Sequence, residues 1–250
     1  RGHRSSPGRL ALVCIATGRS TMTPPLRLLS SMATRAWLAD ILPAYQGRPG
    51  SPVHAESVGG VDAARRVRSG EPVDLVFLAS DAIEALVAEG HLRDGSVVPV
   101  VRSEVSLAVG PGSALALPSS EAALRQAVLD APSLGYSTGP SGTQLLKLFE
   151  RWGIVGELGT RLVQAPPGVP VARLLAEGTV ALGFQQTSEL IHTPGVRVLG
   201  PLPDACAITT VFSAAVGVSC GQPEVAAGFL QWLASEETAA SKRVQGLAPA

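Results

Sequence analysis

From Leu26 onward the sequence alternates short apolar runs with stretches of helical periodicity, and this order restricts the chain to an α/β architecture. Residues 26–30 read as a buried strand, and residues 33–45 carry Trp37, Leu38, Ile41 and Leu42 at helical spacing. Residues 53–57 and 61–69 repeat the strand-then-helix order. Residues 73–79 are apolar almost throughout, as expected of a parallel strand covered on both faces. Asp81 is then placed to cap a helix that runs to Glu89 and is closed by Gly90. Parallel strands in such an order are joined by right-handed crossovers.

A second set follows, with strands expected at 97–101, 105–109, 133–137 and 180–184 and helices at 121–129, 141–152 and 169–176. Residues 208–218 are apolar and β-rich, and 223–233 and 235–244 are helical. Two α/β sets with a late strand and terminal helices predict a chain that crosses into a second lobe and returns. Lobe one comprises residues 23–104 plus 206–250 and lobe two residues 105–205, with hinges at 102–106 and 204–208. A chain of 250 residues with 46% hydrophobic residues can bury a core in each.

Charge removes several function classes. Lys+Arg and Asp+Glu are both 20, so no global basic field exists to hold nucleic acid or an anionic membrane. The densest run, Arg65-Arg66-Val67-Arg68, fits the solvated face of a helix. No apolar run approaches the roughly 18 residues of a membrane span. Cys14, Cys206 and Cys220 are odd in number and widely spaced, which excludes a full disulfide framework and a zinc site; no metal or other cofactor is expected. Residues 1–22, with a short apolar run behind Arg1, Arg4 and Arg9, read as an N-terminal extension or damaged signal.

Ligands of open α/β sheets bind where strands end and helices begin. Three such junctions are rich in hydroxyls and small residues: Ser30-Ser31-Met32-Ala33-Thr34, Ser57-Val58-Gly59-Gly60 and Ser137-Thr138-Gly139-Pro140-Ser141-Gly142-Thr143. Each opens a helix whose first N–H groups lack internal partners and face an anion favourably. Any one of them alone reads as an ordinary N-cap. Their recurrence, with Gln185-Gln186 ending a fourth strand, points to a cage of neutral donors. The Gly-x-x-x-x-Gly-Lys pattern of a phosphate loop is missing, and Lys147 lies too far into its helix to replace it.

The segments Leu28-Leu-Ser-Ser-Met-Ala33, Glu56-Ser-Val-Gly-Gly-Val-Asp-Ala-Ala64, 73–81, Ala181-Leu-Gly-Phe-Gln-Gln-Thr-Ser-Glu-Leu190 and Leu199-Gly-Pro-Leu-Pro203 resemble, in order, the molybdate-binding family of ABC-transporter solute receptors. The resemblance implies a two-lobed type II periplasmic-binding fold and a monomer, exported to the periplasm, that delivers a small anion to an ABC permease. A cytoplasmic location is the alternative left by the poor signal. It also implies binding without a countercharge, by Ser30 or Ser31, Ser57, the Pro140-Ser141 helix start, Gly168-Val169 and Gln186. With the neighbouring Gly59, Gly60, Ser137, Gly142 and Gln185, these form the expected ligand-binding set. Gln186 stands where molybdate receptors present a tyrosine, which brings a carboxylate into consideration beside molybdate, with Arg35 and Arg102 as clamps. The same family includes aconitate-isomerase-like members. That alternative needs a base for a proton shift on a tricarboxylate, for which Glu56, Asp81 and His54 are the candidates by location. Each has an ordinary structural role available: Asp81 as a helix cap, His54 and Glu56 as alternating residues of one strand.

Overall fold

The structure, a computed structural model, describes residues 24–250 except 47, 49 and 51. The expected N-terminal extension or signal at 1–22, with Cys14, lies outside the described residues. The first half runs β1 (Leu26–Ser31), a 3-10 turn (Met32–Thr34), α1 (Arg35–Tyr45), β2 (Val53–Val58), α2 (Gly60–Arg68), β3 (Leu75–Ala79) and α3 (Ser80–Ala88). The long strand β4 (Val98–Val109) leads to α4 (Glu121–Asp130), β5 (Leu134–Tyr136), α5 (Pro140–Arg151), α6 (Val155–Leu158), β6 (Leu162–Gln164), α7 (Val171–Ala176), β7 (Leu182–Gln186), α8 (Thr187–Leu190) and β8 (Arg197–Pro201). The chain closes with β9 (Thr209–Val216), α9 (Pro223–Ala234), α10 (Ala239–Val244) and β10 (Ala248–Pro249).

The strands follow the order β2-β1-β3-β9-β4-β7-β5-β6, with β8 and β10 also paired to β4. β1 pairs in parallel with β2 and β3, and β5 with β6 and β7, so each half holds a βαβ-type parallel set. β4 joins the halves: residues 98–104 pair antiparallel with β9, whereas 105–109 pair antiparallel with β7. It is one continuous strand where the sequence suggests two, because the polar stretch Arg102-Ser103-Glu104 stays in register with Val211, Thr210 and Thr209 of β9.

The apolar cores separate at the same place. Two clusters, built around Trp37, Phe77 and Phe229 and around Leu29, Val76 and Ile83, draw on residues up to Val101 and from Phe212 onward. The other two, around Phe149 and Phe184 and around Val171 and Leu175, use residues between 105 and 208. This is the two-lobed type II periplasmic-binding fold, with helices on both faces of each half-sheet and the cleft where the halves meet. Among the described residues no helix is long and apolar enough to cross a membrane.

Local differences from the sequence reading have simple causes. Helix α3 starts at Ser80, whose hydroxyl bonds the Val211 carbonyl (3.0 Å) and the Ser213 hydroxyl (2.7 Å), so Asp81 sits in the first turn and accepts only the Ala82 amide. β6, β8 and α6 are too short, and too mixed in polarity, to show a period.

Candidate functional site

The carboxyl ends of β1, β2, β5 and β7 and the loop 166–170 converge on a cavity of about 60 Å³ between the lobes. Such a space holds about four water-sized groups. Its lobe-one wall is the Ser31-Met32-Ala33 turn and Gly59-Gly60; its lobe-two wall is formed by 137–141, 168–170, Gln185, Gln186 and Glu189, with Phe212 of β9 at the junction.

Helix geometry supplies the donors. In α2 the first closed turn is Ala63 N–H onto the Gly59 carbonyl (2.9 Å), and in α5 it is Thr143 N–H onto Gly139 (3.1 Å). The amides that precede Ala63 and Thr143 therefore have no acceptor inside their helices. Gly142 lets the start of α5 press onto its own strand. A Cβ there would stand 1.8 Å from the Ser137 carbonyl oxygen, so only glycine permits this turn.

Several hydroxyls are already paired. Ser30 and Ser57, adjacent in the β1–β2 register, bond one another at 2.7 Å, and Ser31 Oγ accepts the Ala33 amide at 3.3 Å. Ser137 and Ser141 bond one another at 2.8 Å. Ser30 also donates to the Glu56 carbonyl at 3.5 Å, which uses the second proton of its pair, whereas the Ser137–Ser141 pair has two hydroxyl protons with only one between the oxygens and retains the other to donate elsewhere.

The two glutamines differ. Gln185 is used at both ends: its Oε1 accepts the Val171 amide at 2.7 Å, and its Nε2 donates to Glu189 Oε1 at 2.8 Å. Gln186 donates Nε2 to Thr210 Oγ1 at 3.0 Å, while its buried Oε1 has no partner among the described residues. Turned over, the amide would take the Thr210 proton at oxygen and leave Nε2 free. Either way round, one polar atom of Gln186 is left for a ligand.

Among the described residues Glu189 is the one ionisable side chain lining the cavity. The residue is partly accessible, but its carboxyl is enclosed by protein, and this desolvation pushes its pKa up to about 7 against the smaller opposing effect of the Gln185 hydrogen bond. No guanidinium or ammonium lines the cavity among the described residues.

Cations stand outside it, at two adjoining hollows. One, of about 680 Å³, shares Met32, Gly59, Thr138 and Gly168 with the cavity and adds Ser57, Arg35 and Arg65. The other, of about 320 Å³, shares Ser31, Gly60, Thr138, Gly139 and Pro140 and adds Asp81, Arg68 and Lys147. Arg65 pairs with Asp62, and Arg68 is held by both oxygens of Glu89. Arg35 and Lys147 have no ion pair among the described residues, so each mouth presents one unpaired cation.

Of the residues singled out in the sequence, Ser31, Gly59, Gly60, Ser137, Pro140, Ser141, Gly168, Val169, Gln185 and Gln186 are brought to the cavity, and Arg35 and Ser57 to its first mouth. Ser30 lies beneath, holding Ser57, and Gly142 lies behind the α5 start. Arg102 does not join them. It donates to the Pro249 carbonyl at 3.1 Å and faces a separate hollow beside β8. Asp81 reaches the second mouth; His54 and Glu56 are exposed and line none of these three spaces. Glu56 is clamped by Arg66 at 2.6 and 2.9 Å, which holds its carboxyl below the usual range. Glu189 and Phe212 were missed. Glu189 reads as an ordinary acidic residue in a first helical turn, and its one clue is the four-residue spacing from Gln185.

The residues 26–248 match a family described as bacterial extracellular solute-binding protein. The chain is 32% identical over 230 residues to aconitate isomerase of Pseudomonas sp., covering 90% of this chain and 87% of that protein. Among solved structures, the periplasmic molybdate-binding protein of Azotobacter vinelandii is similar with a TM-score of 0.73 and 17% identity, over 89% of this chain and 98% of that one. The tungstate-binding protein TupA of Desulfovibrio alaskensis G20 gives 0.67 and 18%, over 91% and 99%. At such identities these two structures speak for a shared fold.

Proposed function

The chain belongs to the bacterial extracellular solute-binding proteins, and from this premise we propose that it captures a small carboxylate-bearing anion in the cleft between its lobes. The observation that carries this reading is the division of charge: a cage of amides, hydroxyls and the spare Gln186 atom inside, with Glu189 its one ionisable group among the described residues and no cation, and an unpaired cation at each mouth. A compact oxyanion would use the cage alone. A polycarboxylate uses both parts, one carboxylate against the amides of α2 and α5 and the others toward Arg35 and Lys147. Capture proceeds by closure of residues 23–104 plus 206–250 onto 105–205, with the chain bending near 102–106 and 204–208. An exported receptor of this kind hands its ligand to an ABC permease. A thermal-shift screen tests the reading, since a ligand selective for the folded state raises its apparent stability. Cis- or trans-aconitate or citrate should stabilise more than molybdate, tungstate, sulfate or phosphate. A shift with molybdate alone would replace the carboxylate by an oxyanion.

A second reading, aconitate-isomerase-like catalysis, draws on the 32% identical relative and on Glu189. A carboxyl that titrates near neutrality beside the cage can take a proton from the carbon next to a ligand's double bond and return it at the other end. The helix amides would stabilise the enolate-like charge meanwhile. Asp81 is the alternative base, from the second mouth; Glu56 and His54 lie outside the cleft. Incubation with trans-aconitate in deuterated water, followed by NMR, should show deuterium uptake and cis isomer. An unchanged ligand at high protein concentration leaves the receptor reading alone.

A further inference from the structure

An anion cage with a carboxyl in its wall contains a contradiction unless that carboxyl is neutral when the ligand is present. Glu189 lines the cavity, its Oε1 is occupied by Gln185 Nε2, and Gln185 is itself fixed by the Val171 amide, so the carboxyl is positioned rather than free to swing away. The second carboxyl oxygen has no described hydrogen-bond partner.

Among the described residues no neighbouring charge offsets an ionised Glu189. Helix α8 packs against β4, β7, β8, α7 and the Met32–Thr34 turn. Of the charged groups on these elements, Arg102 is bound to the Pro249 carbonyl, Glu104 faces the separate hollow, Arg197 donates to the Ser113 and Leu115 carbonyls and Arg173 is paired with Glu177. β7 and the turn carry none. From the following segment, His192 is bonded to Gln245, and Arg243 lines the hollow beside β8. An ionised Glu189 would therefore face the ligand's charge across a small space, where like charges repel.

We propose that Glu189 enters the complex as the neutral acid and donates its proton in a hydrogen bond to the bound carboxylate, so that capture of the ligand takes up a proton. The atoms balance simply: solvent supplies one proton, which lies between a Glu189 oxygen and a ligand oxygen, and no bond to carbon changes. The unpaired Gln186 atom flanks the same space and completes the contact, accepting from or donating to the ligand according to its orientation. The inference rests on the capture reading of the cleft, not on the isomerase one, in which Glu189 is ionised to act as the base, and adds which protonation state of the wall is competent for capture. Free Glu189 titrates near pH 7. The competent form is therefore abundant below that pH and is depleted above it, and affinity falls with rising pH toward about tenfold per unit.

Calorimetry with trans-aconitate between pH 7 and 9, where the probe's own carboxyls are ionised, tests this directly. Repeating the titration in buffers of different ionisation enthalpy counts the protons. Uptake approaching one proton per ligand at pH 8, with affinity declining as stated, is expected of the wild-type protein. The variant Glu189→Gln, which is neutral at every pH, should bind with neither the slope nor the proton uptake. Binding that is pH-independent and releases or takes up no proton overturns the proposal while leaving anion capture intact, as does a variant that keeps the wild-type slope. Absence of binding to any anion in the thermal-shift screen overturns the capture reading itself, and this proposal with it. The wild-type proton count stands whether or not the variant folds.

Discussion

The two walls of the cleft are built alike and equipped differently. Each starts a helix from a small-residue turn, Gly59-Gly60 on lobe one and 139–142 on lobe two, and each brings a helix start, whose first amides lack acceptors inside the helix, to the same cavity. On lobe one Ser30 and Ser57 are tied to one another and Ser30 also to the Glu56 carbonyl, which leaves Ser31, whose oxygen accepts the Ala33 amide, with a proton to give. Lobe two adds the unmatched groups: the spare Gln186 atom, the Ser137–Ser141 pair and Glu189. Under the proposed function, the difference makes lobe one a generic anion surface and leaves lobe two to select the kind of anion.

The largest test of this asymmetry concerns packing. Gly142→Ala must displace the Ser137 carbonyl, whereas a Cβ at Gly59, whose φ is −55°, meets nothing within 4 Å. Thermal or urea unfolding should show a loss of about 3 kcal/mol or more for the first change and below about 1 kcal/mol for the second. Equal losses would erase the contrast between the turns.

Next in size is ligand affinity. Ser141→Ala removes a hydroxyl from the inner cavity and should cost about 1–3 kcal/mol in binding of whichever anion the screen identifies. Ser57→Ala acts at the mouth and frees Ser30, so calorimetry should give a smaller loss, under about 1 kcal/mol. The reverse order would move the ligand's main contacts to lobe one.

Each lobe also buries an ionisable group, and these respond to pH oppositely. Lys242 is fully buried in lobe one, 5.4 Å above the Trp37 ring with no hydrogen-bond partner at Nζ, and desolvation lowers its pKa from 10.5 to about 8. Between pH 8 and 10.5 the unfolded chain holds a proton there that the folded chain has lost. Stability conferred at this position therefore rises with pH through that window, by on the order of 3 kcal/mol, and is lowest below pH 8. Lys242→Met should remove the rise in chemical denaturation curves; an unchanged slope would place its origin elsewhere.

Much of this architecture is legible in the sequence, for identifiable reasons. Strands such as Leu75–Ala79 are buried on both faces and read as unbroken apolar runs, and hydroxyl- and glycine-rich turns recur at the strand ends that line the cavity. What stays hidden depends on distant partners. Nothing local to Glu56 announces that Arg66 will clamp it. Only the fold reveals that Gln185 is spent on Val171 and Glu189 while Gln186 keeps an atom free. Glu189 acquires its character from enclosure, which no spacing encodes.

The smallest expected effect lies at the mouths. Arg35→Gln or Lys147→Gln should weaken carboxylate binding by under about 1 kcal/mol, and the effect should vanish at high salt, because both side chains are exposed and screened. A large, salt-resistant loss would mean that the cations belong to the cage itself.

The central claim is that both walls hold one anion between them. Amide and side-chain NMR shifts on titration with trans-aconitate test it most directly, because they report where the ligand sits. The account predicts the largest changes together at Gly59 and Gly60, at Gly139 and Ser141, and at the Gln186 side chain, saturating with a single affinity. Changes confined to one wall, or centred on Arg102 and the hollow beside β8, would contradict it.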